Sequence, residues 1–258
     1  MKLAVVGKGG VGKTTLVAAL ARHLSQSGRP VVAVDADPDG NLSAALGVAE
    51  EAMPKPIAQM RELILERTGA QDGGGGLLFS LNPRVDDLPE RFSVDASGVK
   101  LLVLGTVEAG GKGCMCPEAA VLKALMQHLL LRVGDDVILD MEAGLEHMGR
   151  ASARGVDAMI VVVEPGMRSV QTAHRIGKLA RDIGIARTFL VANKIRRQEE
   201  WETLQRVLGP DSFLGAIPYA SELAAADLQG RGIDTVNDGA FAEAIRRLCQ
   251  ALEKFHSR

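Results

Sequence analysis

Short apolar runs punctuate the chain at Leu3–Val6, Val31–Val34, Leu101–Leu104, Val137–Leu139, Met159–Val163, Phe189–Ala192 and Phe213–Ile217. They are rich in Val, Ile and Leu and lack the polar alternation of a half-solvated strand, as expected of strands covered on both faces. Between them the period changes. Leu16, Leu20 and Leu24 recur every fourth residue between Lys13 and Ser27, and Gly28 stands where such a helix would end. Further helical patterns lie at about Pro117–Leu131, Ser169–Ile183, Gln198–Leu208 and Ala240–Phe255. Strands alternating with helices of this length predict right-handed crossovers and an α/β fold with a doubly wound, mostly parallel sheet.

The rhythm breaks between about residues 49 and 98. Pro54, Pro56, Pro83 and Pro89 and the run Gly73–Gly76 interrupt any regular pattern. This stretch is expected to be an irregular insertion within a single domain spanning 1–258. It should hold a helix near Ile57–Arg67, loops, and a short strand at Leu77–Asn82. No internal repeat is visible.

Residues of the AVILMFWYC set form 47% of the chain and charged residues 24%, which supports a packed core and excludes wholesale disorder. Thirty Lys and Arg against 32 Asp and Glu leave a formal charge of −2, and aromatics make up only 3%. Neither a basic surface nor a base-stacking platform is implied, so no nucleic-acid partner is expected. Three cysteines, Cys114, Cys116 and Cys249, are too few for a disulfide framework and fit a reducing cytoplasm. The first apolar run is too short for a membrane span or a signal-peptide core, and no membrane partner is expected.

Gly7-Lys8-Gly9-Gly10-Val11-Gly12-Lys13-Thr14 fits GxxxxGK[ST] and falls between a predicted strand and a predicted helix, the context that this phosphate-binding loop requires. Its glycines allow backbone N–H groups to turn inward on phosphate oxygens, and the following helix, through Thr15, offers its positive end. Lys13 is expected to reach the β- and γ-phosphates of ATP, and the Thr14 hydroxyl to bind Mg²⁺.

With Lys8 early in the loop, the motif resembles the deviant Walker A of the MinD, ParA and nitrogenase-iron-protein group of P-loop NTPases. In that group the extra lysine reaches the partner subunit's nucleotide, so the resemblance implies a homodimer that sandwiches ATP. Asp35-Ala36-Asp37-Pro38-Asp39-Gly40-Asn41 looks like switch I, and Asp37 matches the carboxylate that positions the attacking water and stands near Mg²⁺ through water. Asp140-Met141-Glu142-Ala143-Gly144 looks like Walker B and switch II, with Asp140 holding Mg²⁺ through water and Gly144 approaching the γ-phosphate. The Met141-Glu142 pair departs from the DxPAG form of many relatives. Asn193 and Pro218 match positions that hold adenine. By this resemblance Lys8, Lys13, Asp37 and Asp140 carry catalysis.

The subfamily is read outside the nucleotide site. Gly110-Gly111-Lys112-Gly113-Cys114-Met115-Cys116-Pro117 places two thiols one residue apart before a predicted helix, where Lys112 and the helix start would favour thiolates. Such a pair suits a metal or a redox couple. It resembles the CooC family, nickel-insertion ATPases that mature carbon monoxide dehydrogenase and the related acetyl-CoA synthase. That resemblance also includes VDADPDGNL, LDMEAGLEH, VVVEP, VANK and IPY, and it implies Ni²⁺ or Zn²⁺ held by Cys114 and Cys116 at the dimer interface, with a nickel enzyme as client. The rivals are a MinD- or ParA-type positioning ATPase and a nitrogenase-iron-protein-like reductase. The reductase would need a cysteine just past switch II, and Gly144–Arg150 holds none. A membrane-positioning protein would use the stripe Phe241, Ile245, Leu248, Leu252 and Phe255, which equally suits a helix closing the domain. His147 reads as a solvated or capping residue before a metal ligand, and Cys249 as a small core residue.

Overall fold

The computed structural model describes residues 1–70, 78–105, 116–143 and 153–256. Eight strands form one sheet: β1 (Lys2–Gly7), β2 (Val31–Ala36), β3 (Val94–Ala96), β4 (Val99–Val103), β5 (Asp136–Met141), β6 (Ala158–Val163), β7 (Thr188–Ile195) and β8 (Phe213–Pro218). Their order is β3-β4-β2-β5-β1-β6-β7-β8, parallel except for β3, which runs antiparallel to β4. The α/β fold with its doubly wound, mostly parallel sheet is therefore present. The chain moves outward from β1 to one side through β2 and β4, returns with β5 beside β1, then builds the other side through β6, β7 and β8. The carboxyl end of β1 is thus the point where the winding reverses, the usual place for a ligand crevice.

The described α-helices are α1 (Lys13–Gln26), α2 (Leu42–Ala45), α3 (Arg61–Thr68), α4 (Leu88–Phe92), α5 (Pro117–Leu131), α6 (Met167–Ile183), α7 (Gln198–Leu208), α8 (Ser221–Leu228) and α9 (Gly239–His256). Alternate residues of the same strands feed opposite layers, as pleating demands. Leu3, Val5, Ala33, Ile138, Ile160 and Val162 pack with α1 and α9, whereas Ala4, Val6, Val34, Leu139, Val161 and Val163 pack with α3, α5 and α6. The continuous apolar runs reflect this double burial. On α9, Phe241, Ile245, Leu248 and Leu252 are buried in the first of these cores, together with Cys249, so the stripe closes the domain. Among the described residues no helix is long and apolar enough to cross a membrane.

The region of 49–98 departs from expectation in two ways. The helix foreseen at Ile57–Arg67 is split into a 3₁₀ turn, Ile57–Gln59, and α3, with Met60 extended out of helical geometry between them. The strand foreseen at Leu77–Asn82 is not formed by 78–82; Leu78 and Leu81 are 89% and 58% exposed and have no sheet edge to join. That edge is taken by β3, joined to β4 through the two-residue turn Ser97-Gly98, with φ of 54° and 87°. Two successive positive φ values match the right-handed twist of a hairpin, and Ser-Gly between Ala96 and Val99 is its sequence signal.

Candidate functional site

The loop after β1 reverses into α1 through Gly12, whose φ is 93°. A side chain there would strain the backbone and overlap the Asn193 amide, so glycine is required on both counts. First-turn N–H groups of α1 have no acceptors inside the helix, and this turn lines a cleft of about 630 Å³ with Gly9, Gly10, Lys13 and Thr14 among its walls. Ile217, Pro218, Tyr219 and Leu223 line the same cleft. The structure thus brings together Gly9, Gly10, Gly12, Lys13, Thr14, Thr15, Asp37, Asn193 and Pro218, all singled out from sequence. Gly7 is the last residue of β1, with no room for a Cβ against the Val162 carbonyl, and Val11 is buried beneath the loop.

Lys13 is 7% exposed, and its Nζ lies 3.1 Å from Asp37 Oδ2. A buried ammonium needs such a counter-ion. Asp37 Oδ1 accepts the Asp39 N–H at 3.1 Å, which fixes the turn after β2. Asp35, at the end of β2, is fully buried and accepts the N–H groups of Asp37 at 3.2 Å and Leu42 at 3.0 Å. Burial raises its carboxyl to about 6, with the two amides and Lys13 opposing and Asp37 adding to the rise. The sequence motif alone assigns Asp35 no task; its place at the end of a buried strand is the available signal.

Asp140, near the end of β5, is also fully buried. Neither carboxylate oxygen has a hydrogen-bond partner of ordinary geometry, although the Thr14 hydroxyl is close enough to favour the charged form. Burial dominates and pushes this carboxyl up to about 7; Thr14 and Lys13 oppose the rise, and Asp35 and Asp37 reinforce it. A buried carboxylate with only the Thr14 hydroxyl close by, at a helix N-terminus, suits a hydrated cation, and Thr14, Asp37 and Asp140 are oxygen groups of the kind that Mg²⁺ takes together with phosphate and water.

Lys8 Nζ is 3.5 Å from Glu164 Oε1, beyond the end of β6, and Lys194 Nζ is 3.7 Å from Oε2 of the same residue. Asn193 uses its amide within the chain, donating to the Val11 carbonyl at 2.8 Å and accepting the Lys194 N–H at 2.9 Å. The backbone of Gly232 approaches Gly47 so closely that a Cβ on Gly232 would lie 2.6 Å from it.

Cys116 caps α5 and is half-buried. Cys114, Lys112, Gly144 and His147 lie outside the described residues, and among the described ones no group of three or more His, Cys, Asp or Glu is placed to hold a metal. Cys249 is 1% exposed, and burial pushes its thiol up to about 12.

Residues 3–233 match the family of the CobQ/CobB/MinD/ParA nucleotide binding domain. The carbon monoxide dehydrogenase accessory protein CooC of Rhodospirillum rubrum is 48% identical over 232 residues, 89% of this chain and 88% of that protein. An uncharacterized ATP-binding protein of Methanocaldococcus jannaschii is 40% identical over 96% of both chains. Among solved structures, the septum site-determining protein MinD of Pyrococcus horikoshii, complexed with Mg-ADP, superposes with a TM-score of 0.69 at 21% identity, covering 99% of this chain and 96% of that one.

Proposed function

The chain belongs to the CobQ/CobB/MinD/ParA nucleotide-binding family as a CooC-like member and is an ATPase, and from that premise we propose that it couples ATP binding, dimerisation and hydrolysis to nickel insertion into carbon monoxide dehydrogenase or the related acetyl-CoA synthase. The observation that carries the nucleotide half is the buried carboxylate of Asp140, with no hydrogen bond of ordinary geometry, beside Thr14 and near the Lys13–Asp37 pair. Thr14, Asp37 and Asp140 would hold Mg²⁺ there, and the ion would supply positive charge against the phosphates. When ATP enters, Lys13 exchanges Asp37 for phosphate oxygens. Asp37, still fixed by the Asp39 amide, is then free to accept a hydrogen bond from the attacking water and align it. Lys8 exchanges Glu164 for the nucleotide of the facing subunit.

The client half rests on the likeness to CooC and on Cys114 and Cys116 just before α5. One chain offers two thiolates, whereas a closed site for a soft divalent metal takes about four ligands, so a two-fold axis near this turn would complete it with one metal per dimer. ATP-driven movement of the subunits then tightens or releases the ion toward the client. The setting is the cytoplasm, with no membrane or nucleic-acid partner.

The test is elemental analysis of anaerobically purified protein, with and without nucleotide, for wild type and for the Cys114→Ser/Cys116→Ser double variant, with ATP turnover measured on the same samples and Lys13→Ala as the inactive control. One Ni²⁺ or Zn²⁺ per wild-type dimer and none in the double variant is expected. Retention of one tightly held metal by the double variant would refute the thiolate site.

A further inference from the structure

The end of β7 is irregular. Its pairing with β8 shifts register between Ala192 and Ile195. In a regular strand, neighbouring residues point to opposite faces, and Asn193 and Lys194 could not both reach the phosphate loop. Here both do: Asn193 Nδ2 donates to the Val11 carbonyl at 2.8 Å and Lys194 Nζ to the Gly10 carbonyl at 2.5 Å. The bend that makes this possible is a left-handed backbone at Lys194, φ 60°, braced by the Lys194 N–H donating to Asn193 Oδ1. Ser97, in its hairpin turn, is the one other non-glycine with positive φ among the described residues. A lysine held in that region, at a strand irregularity beside a ligand cleft, points to a task for its side chain.

The task follows from the loop. Turning N–H groups inward on phosphate leaves carbonyls facing outward, and those need donors of their own. Asn193 and Lys194 supply them at Val11 and Gly10, while Glu164, shared by Lys194 and Lys8, fixes the ammonium from its other side. We infer that Lys194 is a positioning residue for nucleotide binding: its left-handed backbone aims the ammonium at the Gly10 carbonyl and holds the phosphate loop with its N–H groups facing the phosphates. This rests on the reading of that loop as the ATP site.

The experiment measures the affinity of a fluorescent ATP analogue, the KM and kcat of ATP hydrolysis, and the melting temperature without nucleotide for wild type, Lys194→Met, Lys194→Gly and Lys13→Ala. Loss of one charge-assisted hydrogen bond predicts about tenfold weaker binding in Lys194→Met and Lys194→Gly. The loss appears in KM, because a held loop serves the ground and transition states alike. The glycine variant relieves the backbone strain, so it should melt close to wild type while binding as poorly as the methionine variant. Affinity of Lys194→Gly within about twofold of wild type, or a loss of affinity that merely follows a loss of melting temperature, overturns the inference. If Lys13→Ala binds nucleotide as wild type does, it is the assignment of the phosphate loop that fails.

Discussion

Asp35 and Asp140 stand at the ends of adjacent parallel strands, both fully buried, yet their charges are held differently. Two backbone amides and Lys13 counter the burial of Asp35, whereas Asp140 depends on Thr14 and Lys13. Both carboxyls titrate above their ordinary range, so the folded state favours the protonated forms more than the unfolded state does. Their contribution to stability is therefore fully present below about pH 4 and is lost as pH rises through about 6 for Asp35 and about 7 for Asp140. Nucleotide-free protein in a chelator should melt at lower temperature at pH 8 than at pH 5.5, and Asp140→Asn should show a smaller decrease. Asp87 and Glu243, both depressed to about 2 by arginine partners, act only in more acid solution and leave this window clear. Thermal melts of the two proteins across pH 5–8 decide the matter; parallel curves would mean that burial of Asp140 is not felt.

Among the elements, the strands buried on both faces were legible because each has to be a continuous apolar run, and all seven foreseen strands form within about two residues at most ends, β7 running further at its carboxyl end. The long helices were legible for the same reason, through period and through stops such as Gly28, which has φ 81°. The insertion was not. Leu77–Asn82 has strand-like composition, but composition does not say which segment occupies the sheet edge, and a two-residue hairpin outcompetes a more distant segment because its loop is already closed. The hairpin is also tied to α1, since Ser25 Oγ donates to the Gly98 carbonyl at 2.8 Å. A Cβ at Gly98 would meet that hydroxyl at 2.8 Å and would sit on a backbone with φ 87°. Gly98→Ala should therefore destabilise the protein by about 1–3 kcal/mol, read as a lower urea midpoint with an unchanged slope. Wild-type stability in this variant would show that the hairpin tolerates another turn type.

At the scale of the whole molecule, the phosphate loop, the Asp35–Asn41 segment and Asp140 stand at the carboxyl ends of three different strands yet meet in one crevice, because β5 returns between β1 and β2. This meeting was legible, since each motif is continuous and ends a predicted strand. Glu164 and Lys194 were not legible as partners of the loop. The contacts of Lys194 depend on a register shift and a left-handed residue, neither of which leaves a mark in hydropathy. The pairing of Lys8 with Glu164 at 3.5 Å, partly exposed to water, is weak enough to be exchanged for a phosphate of a facing subunit. With ATP bound, Asp37→Ala should accordingly show a mass near two chains by light scattering, and Lys8→Ala in the same background should remain near one. A monomeric Asp37→Ala protein with ATP demonstrably bound would count against the sandwich.

The thiol of Cys249 lies in the core beneath α9. Packed away and with its ionisation pushed up to about 12, it stays silent to a thiolate-seeking reagent until the protein unfolds. Every sulfur that reacts in the folded protein therefore belongs to Cys114 or Cys116, and the third appears only in denaturant. The chain thus carries its own internal standard. A single colorimetric titration, before and after unfolding, counts the two neighbouring thiols against a fixed reference, and so reads whether added metal or nucleotide protects them without a label or an added cysteine.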